Sequence, residues 1–145
     1  MKIVVLDGKT LNPGDNPWDE VAKLGELTVY DRTAQEEIVS RAKDAEIILT
    51  NKTPLTAQTL ERLPKLRFIS VLATGYNIVD VQAAAQRGIV VSNVPVYATD
   101  SVAQFTFALL LELCHHVAAH DVAVKSGEWS NCPDFCFWKY PLVEL

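Results

Sequence analysis

The chain has 145 residues, 49% of them hydrophobic and 21% charged, with a formal net charge of −5 at pH 7. This length fits one domain, or one domain with an extension, and is sufficient to bury a hydrophobic core. The acidic balance and the lack of a basic cluster argue against a surface that binds nucleic acid or an anionic membrane.

Apolar runs alternate with amphipathic stretches, which is typical of parallel β/α units. The predicted strands are 3–6, 27–30, 46–50, 66–72 and 89–92. The predicted intervening helices start at Asn16-Pro17, at Thr33 in a capping box with Glu36, at Thr56, and at residue 80, the last ending at Gly88. Five strands and four helices predict an α/β fold with a doubly wound parallel sheet ordered 2-1-3-4-5.

This strand order predicts where a site would lie. In a doubly wound sheet, ligands bind at the carboxyl ends of the strands, where the strand order reverses. Here the crevice would open between the ends of the first and third strands, at Asp7-Gly8 and Asn51-Lys52.

The character of the chain changes after Asn93. Asp100 or Ser101 is predicted to cap a long helix that continues past Ala118 and is apolar over most of its circumference. We expect such a helix to be buried on several sides, partly by another domain or chain. The following stretch, 126–145, has no regular period and is predicted to be an irregular arm that docks on something outside this chain. Its aromatic residues are Trp129, Phe135, Phe137, Trp138 and Tyr140.

Thr74-Gly75 lies between a predicted strand and a predicted helix. A glycine permits close backbone approach or a positive φ, and the adjacent amides could hold a carboxylate while the Thr74 hydroxyl adds a donor. The same residues could equally form an ordinary strand-to-helix turn. Asn51-Lys52 has two comparable interpretations, an amide and an ammonium beside a small acidic substrate, or a solvated turn before Pro54.

Other groups of residues give weaker indications of a metal site or a catalytic site. His116, His120, Cys132 and Cys136 are residue types that bind zinc, but their spacing is unlike that of a zinc knuckle. No nucleophile elbow occurs. A receiver domain would need an aspartate after the third strand, where the chain has Thr50-Asn51. We therefore expect no metal site.

We also expect no targeting signal. The first residues do not form a signal peptide, and the longest apolar run, Phe105 to Leu111, is too short to span a bilayer. Three cysteines, an odd number, predict no disulfide framework. These features predict a cytoplasmic protein in a reducing compartment.

One segment is similar to a known family. The run LATGYNIVDVQAAAQRGIVVSNVPVYATDSVAQFTFALLLEL closely resembles the D-isomer-specific 2-hydroxyacid dehydrogenases, particularly the glycerate dehydrogenase or hydroxypyruvate reductase branch. The closing SGEWSNCPDFCFWKYPLVEL resembles the segment before that family's dinucleotide-binding loop. The resemblance implies a flavodoxin-like substrate-binding domain over 1–99. It also implies an interdomain helix and arm over 100–145, leading into a Rossmann cofactor domain that this chain lacks.

The resemblance also implies roles for individual residues. The backbone at Thr74-Gly75 would hold the substrate carboxylate, with Asn51 and Lys52 lining the same pocket. Thr74 and Val102 would lie near the nicotinamide of NAD or NADP. The arm would pack in the interface of a homodimer. The substrate would be a small 2-hydroxy or 2-keto acid resembling glycerate, hydroxypyruvate or glyoxylate.

The chain departs from the family in one respect. The family's catalytic Arg, Glu and His and its Gly-x-Gly-x-x-Gly loop have no counterpart in the 145 residues, so no catalytic residue is assigned. We therefore predict that the chain alone has neither dehydrogenase activity nor appreciable affinity for NAD. Two alternatives stay open at this stage: a stand-alone flavodoxin-like binding or signalling module, and an interaction scaffold built on the aromatic arm.

Overall fold

The computed structural model describes residues 1–139 and residue 143. The chain divides into two compact units, Met1–Val96 and Tyr97–Leu145. The first unit is an α/β domain and the second is helical, and each is described by itself.

The first unit contains one parallel sheet of five strands. The strands are β1 (Lys2–Val5), β2 (Glu26–Val29), β3 (Ile47–Thr50), β4 (Phe68–Val71) and β5 (Val90–Ser92). Their order is β2-β1-β3-β4-β5, which confirms the predicted doubly wound topology. All neighbouring pairs are parallel, so every strand ends at the same edge of the sheet.

The strands are apolar because both faces of the sheet are covered over much of their area. Short helices connect them: α1 (Asp19–Ala22), α2 (Ile38–Ala42), α3 (Ala57–Glu61) and α4 (Val81–Gln86). One face carries a large core in which side chains such as Val4, Ile48 and Ile69 are fully buried. The opposite face carries a smaller core around Ile3 and Val5.

Helix starts were predicted with mixed success. The Thr56 hydroxyl accepts from the Thr59 amide, which confirms the predicted cap. Asp80 was predicted as the first residue of its helix, but it precedes the helix as a cap, with its carboxylate accepting from the Ala83 amide at 2.9 Å. The capping box of Thr33 with Glu36 is wrong. The Thr33 hydroxyl donates to the Leu6 carbonyl at 2.6 Å, and Glu37 accepts from the Ala34 amide at 3.2 Å, but alanine has no side-chain oxygen to complete a box.

The second unit contains two helices, α5 (Thr99–His115) and α6 (Val117–Lys125). The predicted single helix past Ala118 is therefore interrupted. His116 has φ of 50° and ends α5 in the left-handed conformation, and the two helices form an angle of 60°. The predicted side-chain cap at Asp100 or Ser101 is also wrong, because Ala98 precedes the first helical residue and makes no side-chain cap.

Most apolar side chains of α5 are exposed within the chain, among them Phe105, Phe107 and Leu113. No helix or strand follows Lys125 in the described part of the chain, as expected for an irregular arm, and Tyr140 lies outside that part. No single described helix is long and apolar enough to cross a membrane. The bent pair of α5 and α6 reaches that range only when both are taken together.

Candidate functional site

The four predicted pocket residues all lie at the carboxyl edge of the sheet. Asn51 and Lys52 follow β3, and Thr74 and Gly75 begin three residues after β4. Strands β3 and β4 are neighbours, and the Leu72 amide donates to the Thr50 carbonyl at 2.8 Å beyond the end of β4. The two turns therefore emerge side by side.

The turn after β3 is held by Asp7, which follows β1 and is 3% exposed. The Asp7 carboxylate accepts from three consecutive amides: Asn51 at 2.9 Å, Lys52, and Thr53 at 3.0 Å. The Asn51 side-chain amide also donates to the Thr10 hydroxyl at 3.2 Å, and that hydroxyl donates to the Asp7 carbonyl at 2.9 Å. The backbone of Asn51 and Lys52 is thus fixed from β1.

The turn after β4 has the opposite character. The amides of Thr74, Gly75, Tyr76 and Asn77 donate to no acceptor among the described residues, and all four residues are exposed. Backbone amides are strong donors that need partners, and a run of them pointing to one region forms an anion-binding concavity. This segment offers hydrogen-bond donors that the rest of the unit does not use.

The position of this turn is fixed by the segment after β5. The Asn93 side-chain amide donates to the Thr74 carbonyl at 2.8 Å, and the Val94 amide donates to the Ala73 carbonyl at 3.1 Å. The Thr74 hydroxyl donates to the Val94 carbonyl at 3.2 Å. Its hydrogen is therefore already used, and the groups left for a ligand are the hydroxyl oxygen and the backbone amides.

The backbone conformation at position 75 does not require a glycine. It is absent from the glycines with positive φ, so the predicted alternative of a positive φ is wrong. A Cβ built on Gly75 would have one heavy atom within 4 Å, Asn77 Oδ1 at 3.4 Å, which is an ordinary contact. Space above the backbone remains open, so a ligand could approach closely, and an ordinary strand-to-helix turn fits the same geometry.

Charge at this edge favours an anion. Lys52 is exposed, and its ammonium forms no ion pair with any residue in the described part of the chain. The carboxylate of Asp7, at the same edge, is covered by amides. A free cation beside unbonded amides can bind a small carboxylate through charge-assisted hydrogen bonds.

The remaining predicted residues lie elsewhere. Val102 is on α5 in the second unit, and it is 61% exposed. No cluster of three or more His, Cys, Asp or Glu side chains that could hold a metal occurs among residues 1–139 and 143, so the zinc alternative with His116 and Cys132 finds no support there.

The sequence predicted Asp7 at the crevice, together with Gly8, but gave it no role, and it indicated no role for Asn93. The partners of the Asp7 carboxylate are 44 to 46 residues away, so local sequence carries no signal of the contact. Only the position of Asp7 indicates the contact. An acidic side chain directly after a buried strand, where the strand order reverses, needs hydrogen-bond donors to compensate its burial.

The family can now be assigned. A model described as "D-isomer specific 2-hydroxyacid dehydrogenase, catalytic domain" matches residues 3–131. The chain belongs to this family. The resemblance seen in the run from Leu72 to Leu113 is therefore confirmed over nearly the whole sequence.

Individual members of the D-2-hydroxyacid dehydrogenase family show how much of them this chain represents. A hydroxypyruvate reductase of Blautia hydrogenotrophica is 56% identical over 148 residues, and a glycerate dehydrogenase of Methylorubrum extorquens is 36% identical over 145 residues. The matches cover 100% and 99% of the chain but 46% and 45% of the relatives. The chain thus spans less than half the length of these relatives.

A solved structure has a similar fold. An acyclic imino acid reductase in complex with NADPH and D-Arg matches with a TM-score of 0.73 and 27% identity, covering 88% of this chain and 41% of that one.

Proposed function

We propose that the chain is the substrate-binding portion of an NAD(P)-dependent oxidoreductase acting on the CH–OH group of D-2-hydroxy acids. Glycerate, with hydroxypyruvate as its keto form, and the keto acid glyoxylate are the expected type of substrate. The observation that carries the proposal is the run of amides from Thr74 to Asn77, with the Lys52 ammonium on the neighbouring turn, none of which has a partner among residues 1–139 and 143. Family membership favours this function over a stand-alone binding module.

The proposed site suits a 2-hydroxy acid for a geometric reason. The carboxylate of such a substrate is bonded directly to the carbon that loses or gains hydride. Holding the carboxylate on the backbone of Thr74-Gly75 therefore fixes the reacting carbon, which lowers the entropic barrier to reaction. Asn51 and Lys52 would line the same pocket and contribute charge. We assign no proton-transfer residue to this chain.

NAD or NADP is proposed as the cofactor of the complete protein, with Thr74 and Val102 near its nicotinamide. The exposed apolar side chain of Val102 is suited to contact with an aromatic ring face. The 145 residues contain no Gly-x-Gly-x-x-Gly sequence, so binding of the pyrophosphate is proposed for a Rossmann domain outside this chain.

Assembly and location belong to the same proposal. The proposed domain organisation is a substrate-binding domain over 1–99 and an interdomain helix and arm over 100–145. Exposed apolar residues on α5 and in the arm, such as Phe105 and Trp138, support a homodimer of the complete protein. The three free cysteines suit a cytoplasmic location.

A ligand titration tests the carboxylate site. The ¹⁵N-labelled chain is titrated with D-glycerate or hydroxypyruvate, and with glycerol as a matched ligand that lacks the carboxylate. We expect the amide resonances of Thr74–Asn77 to shift with both acids and not with glycerol. Lys52→Met should weaken the binding of D-glycerate by about tenfold, because a charge-assisted contact is lost. Unchanged resonances at Thr74–Asn77 at saturating acid would contradict the proposal.

A further inference from the structure

Asp7 is a buried charge that the proposed substrate contacts do not use. Its carboxylate pairs with no cation in the described part of the chain, and it accepts from three backbone amides in one turn. A buried charge is costly unless such bonds compensate it. A carboxylate is also the one side chain with two acceptor oxygens and no donor, so it alone can accept from all three amides.

The three amides belong to the turn that carries two predicted substrate contacts, Asn51 and Lys52. The backbone carbonyl of Asp7, not its carboxylate, is also linked to the side chain of Asn51 through the Thr10 hydroxyl. A further bond within the turn, from the Thr50 hydroxyl to the Thr53 carbonyl at 3.1 Å, closes it. Strand β1 thereby determines where the turn after β3 presents its polar groups.

We propose that Asp7 is the positioning residue of the substrate site. Its carboxylate holds the backbone of Asn51 and Lys52 beside the open amides of Thr74–Asn77. Asp7 acts through the turn and does not touch the substrate. This inference rests on the proposed function, since a positioned turn has a role only if a ligand binds there.

Asp7→Asn is the direct test, because it keeps the size of the side chain but turns one acceptor oxygen into a donor. Thr33→Val is the matched control. It removes a 2.6 Å hydrogen bond to the carbonyl of Leu6, the residue after β1, and a 3.0 Å bond that the hydroxyl accepts from Arg41, and it leaves the Asp7 contacts in place. Both variants are expected to lose stability, but only Asp7→Asn releases the turn.

Two readouts separate positioning from stability. Hydrogen exchange at the amides of Asn51, Lys52 and Thr53 should accelerate about tenfold or more in Asp7→Asn relative to Thr33→Val at equal global stability. Affinity for D-glycerate should fall about tenfold in Asp7→Asn and stay within about twofold of wild type in Thr33→Val. The resonances of Thr74–Asn77 should keep their free-state positions in both variants, showing that the second half of the site is intact.

A measurement on the unmodified chain covers the case in which Asp7→Asn does not fold. Binding and turn stability are linked, so D-glycerate should slow exchange at Asn51, Lys52 and Thr53. If the ligand shifts Thr74–Asn77 but leaves exchange at these three amides unchanged, the positioning role is wrong and the proposed function stands. Equal glycerate affinity in Asp7→Asn and wild type would likewise overturn the positioning role and leave the proposed function standing. If nothing binds at Thr74–Asn77, the proposed function fails, and the role of Asp7 toward a substrate fails with it.

Discussion

Gly75→Ala separates ligand approach from folding at the proposed carboxylate site. The added methyl would meet one heavy atom within 4 Å, Asn77 Oδ1 at 3.4 Å, and Gly75 has no positive φ. The free chain can accept the methyl without rearrangement. Since alanine restricts the unfolded chain more than glycine, we expect an unchanged or raised free energy of unfolding, by about 0.4–1 kcal/mol.

Binding should respond in the opposite direction. The methyl occupies open space over the amides that would hold the ligand, and a carboxylate oxygen must come within about 2.9 Å of an amide nitrogen. We expect affinity for D-glycerate to fall by about tenfold, or about 1.4 kcal/mol. Stability and affinity thus change with opposite signs in one variant.

Gly88→Ala is the control for a conformational glycine. Gly88 also has open space around its Cα, but its φ is +70° at the end of α4. Alanine there should cost about 1–2 kcal/mol. Urea unfolding gives the stabilities and the labelled-chain titration gives the affinities. If Gly75→Ala destabilises the chain as Gly88→Ala does, or binds D-glycerate as the wild type does, the argument for close approach is refuted.

Three other predictions concern the core, the opposite edge of the sheet and catalysis. Ile69→Ala, in the fully buried core, should lower the free energy of unfolding by about 2–5 kcal/mol, whereas Val90→Ala, at a 60% exposed position, should cost under about 1 kcal/mol in the same urea titration. The hydrogen bond from Lys65 at 2.7 Å, and its charge, lower the pKa of Asp44. Stability from this pair is therefore present above the ordinary aspartate pKa of about 3.9 and is lost as pH falls through the lowered value. Asp44→Asn should flatten that acid limb slightly, and an unchanged limb would contradict the assignment. The 145-residue chain should not oxidise NADH with hydroxypyruvate, and measurable turnover at 340 nm would show that the chain holds its own proton-transfer group.

The sheet could be predicted because its signals are local. Each strand is a short apolar run between polar turns, and the order follows from the handedness of the crossovers. Thr56 was predicted as a cap for the same reason, since a cap and the amide that donates to it lie three residues apart. Thr33 fits the local pattern equally well. Its hydroxyl instead bonds Leu6, which is 27 residues away, and tertiary contact overrides the cap.

The break at His116 could not be predicted because no glycine or proline marks it. A histidine in the left-handed conformation is uncommon, and the apolar spacing continues across it from Leu113 to Val117. The site shows the same limit. Turn position and residue type predict Thr74-Gly75 as a candidate site, but its unbonded amides, and the convergence of three amides on Asp7, depend on contacts between distant strands.

The two turns at the carboxyl edge support one interpretation together. After β3, three consecutive amides hold the carboxylate of Asp7. After β4, four consecutive amides hold nothing from the described residues. Both turns follow neighbouring parallel strands, so the fold already demonstrates, with its own side chain, that amides at this edge can bind a carboxylate. The second set lacks such an internal partner, and at Gly75 it also lacks the side chain that would obstruct an external one. Binding of a carboxylate ligand at Thr74–Asn77 would therefore use the same kind of amide contact that the domain already makes with Asp7.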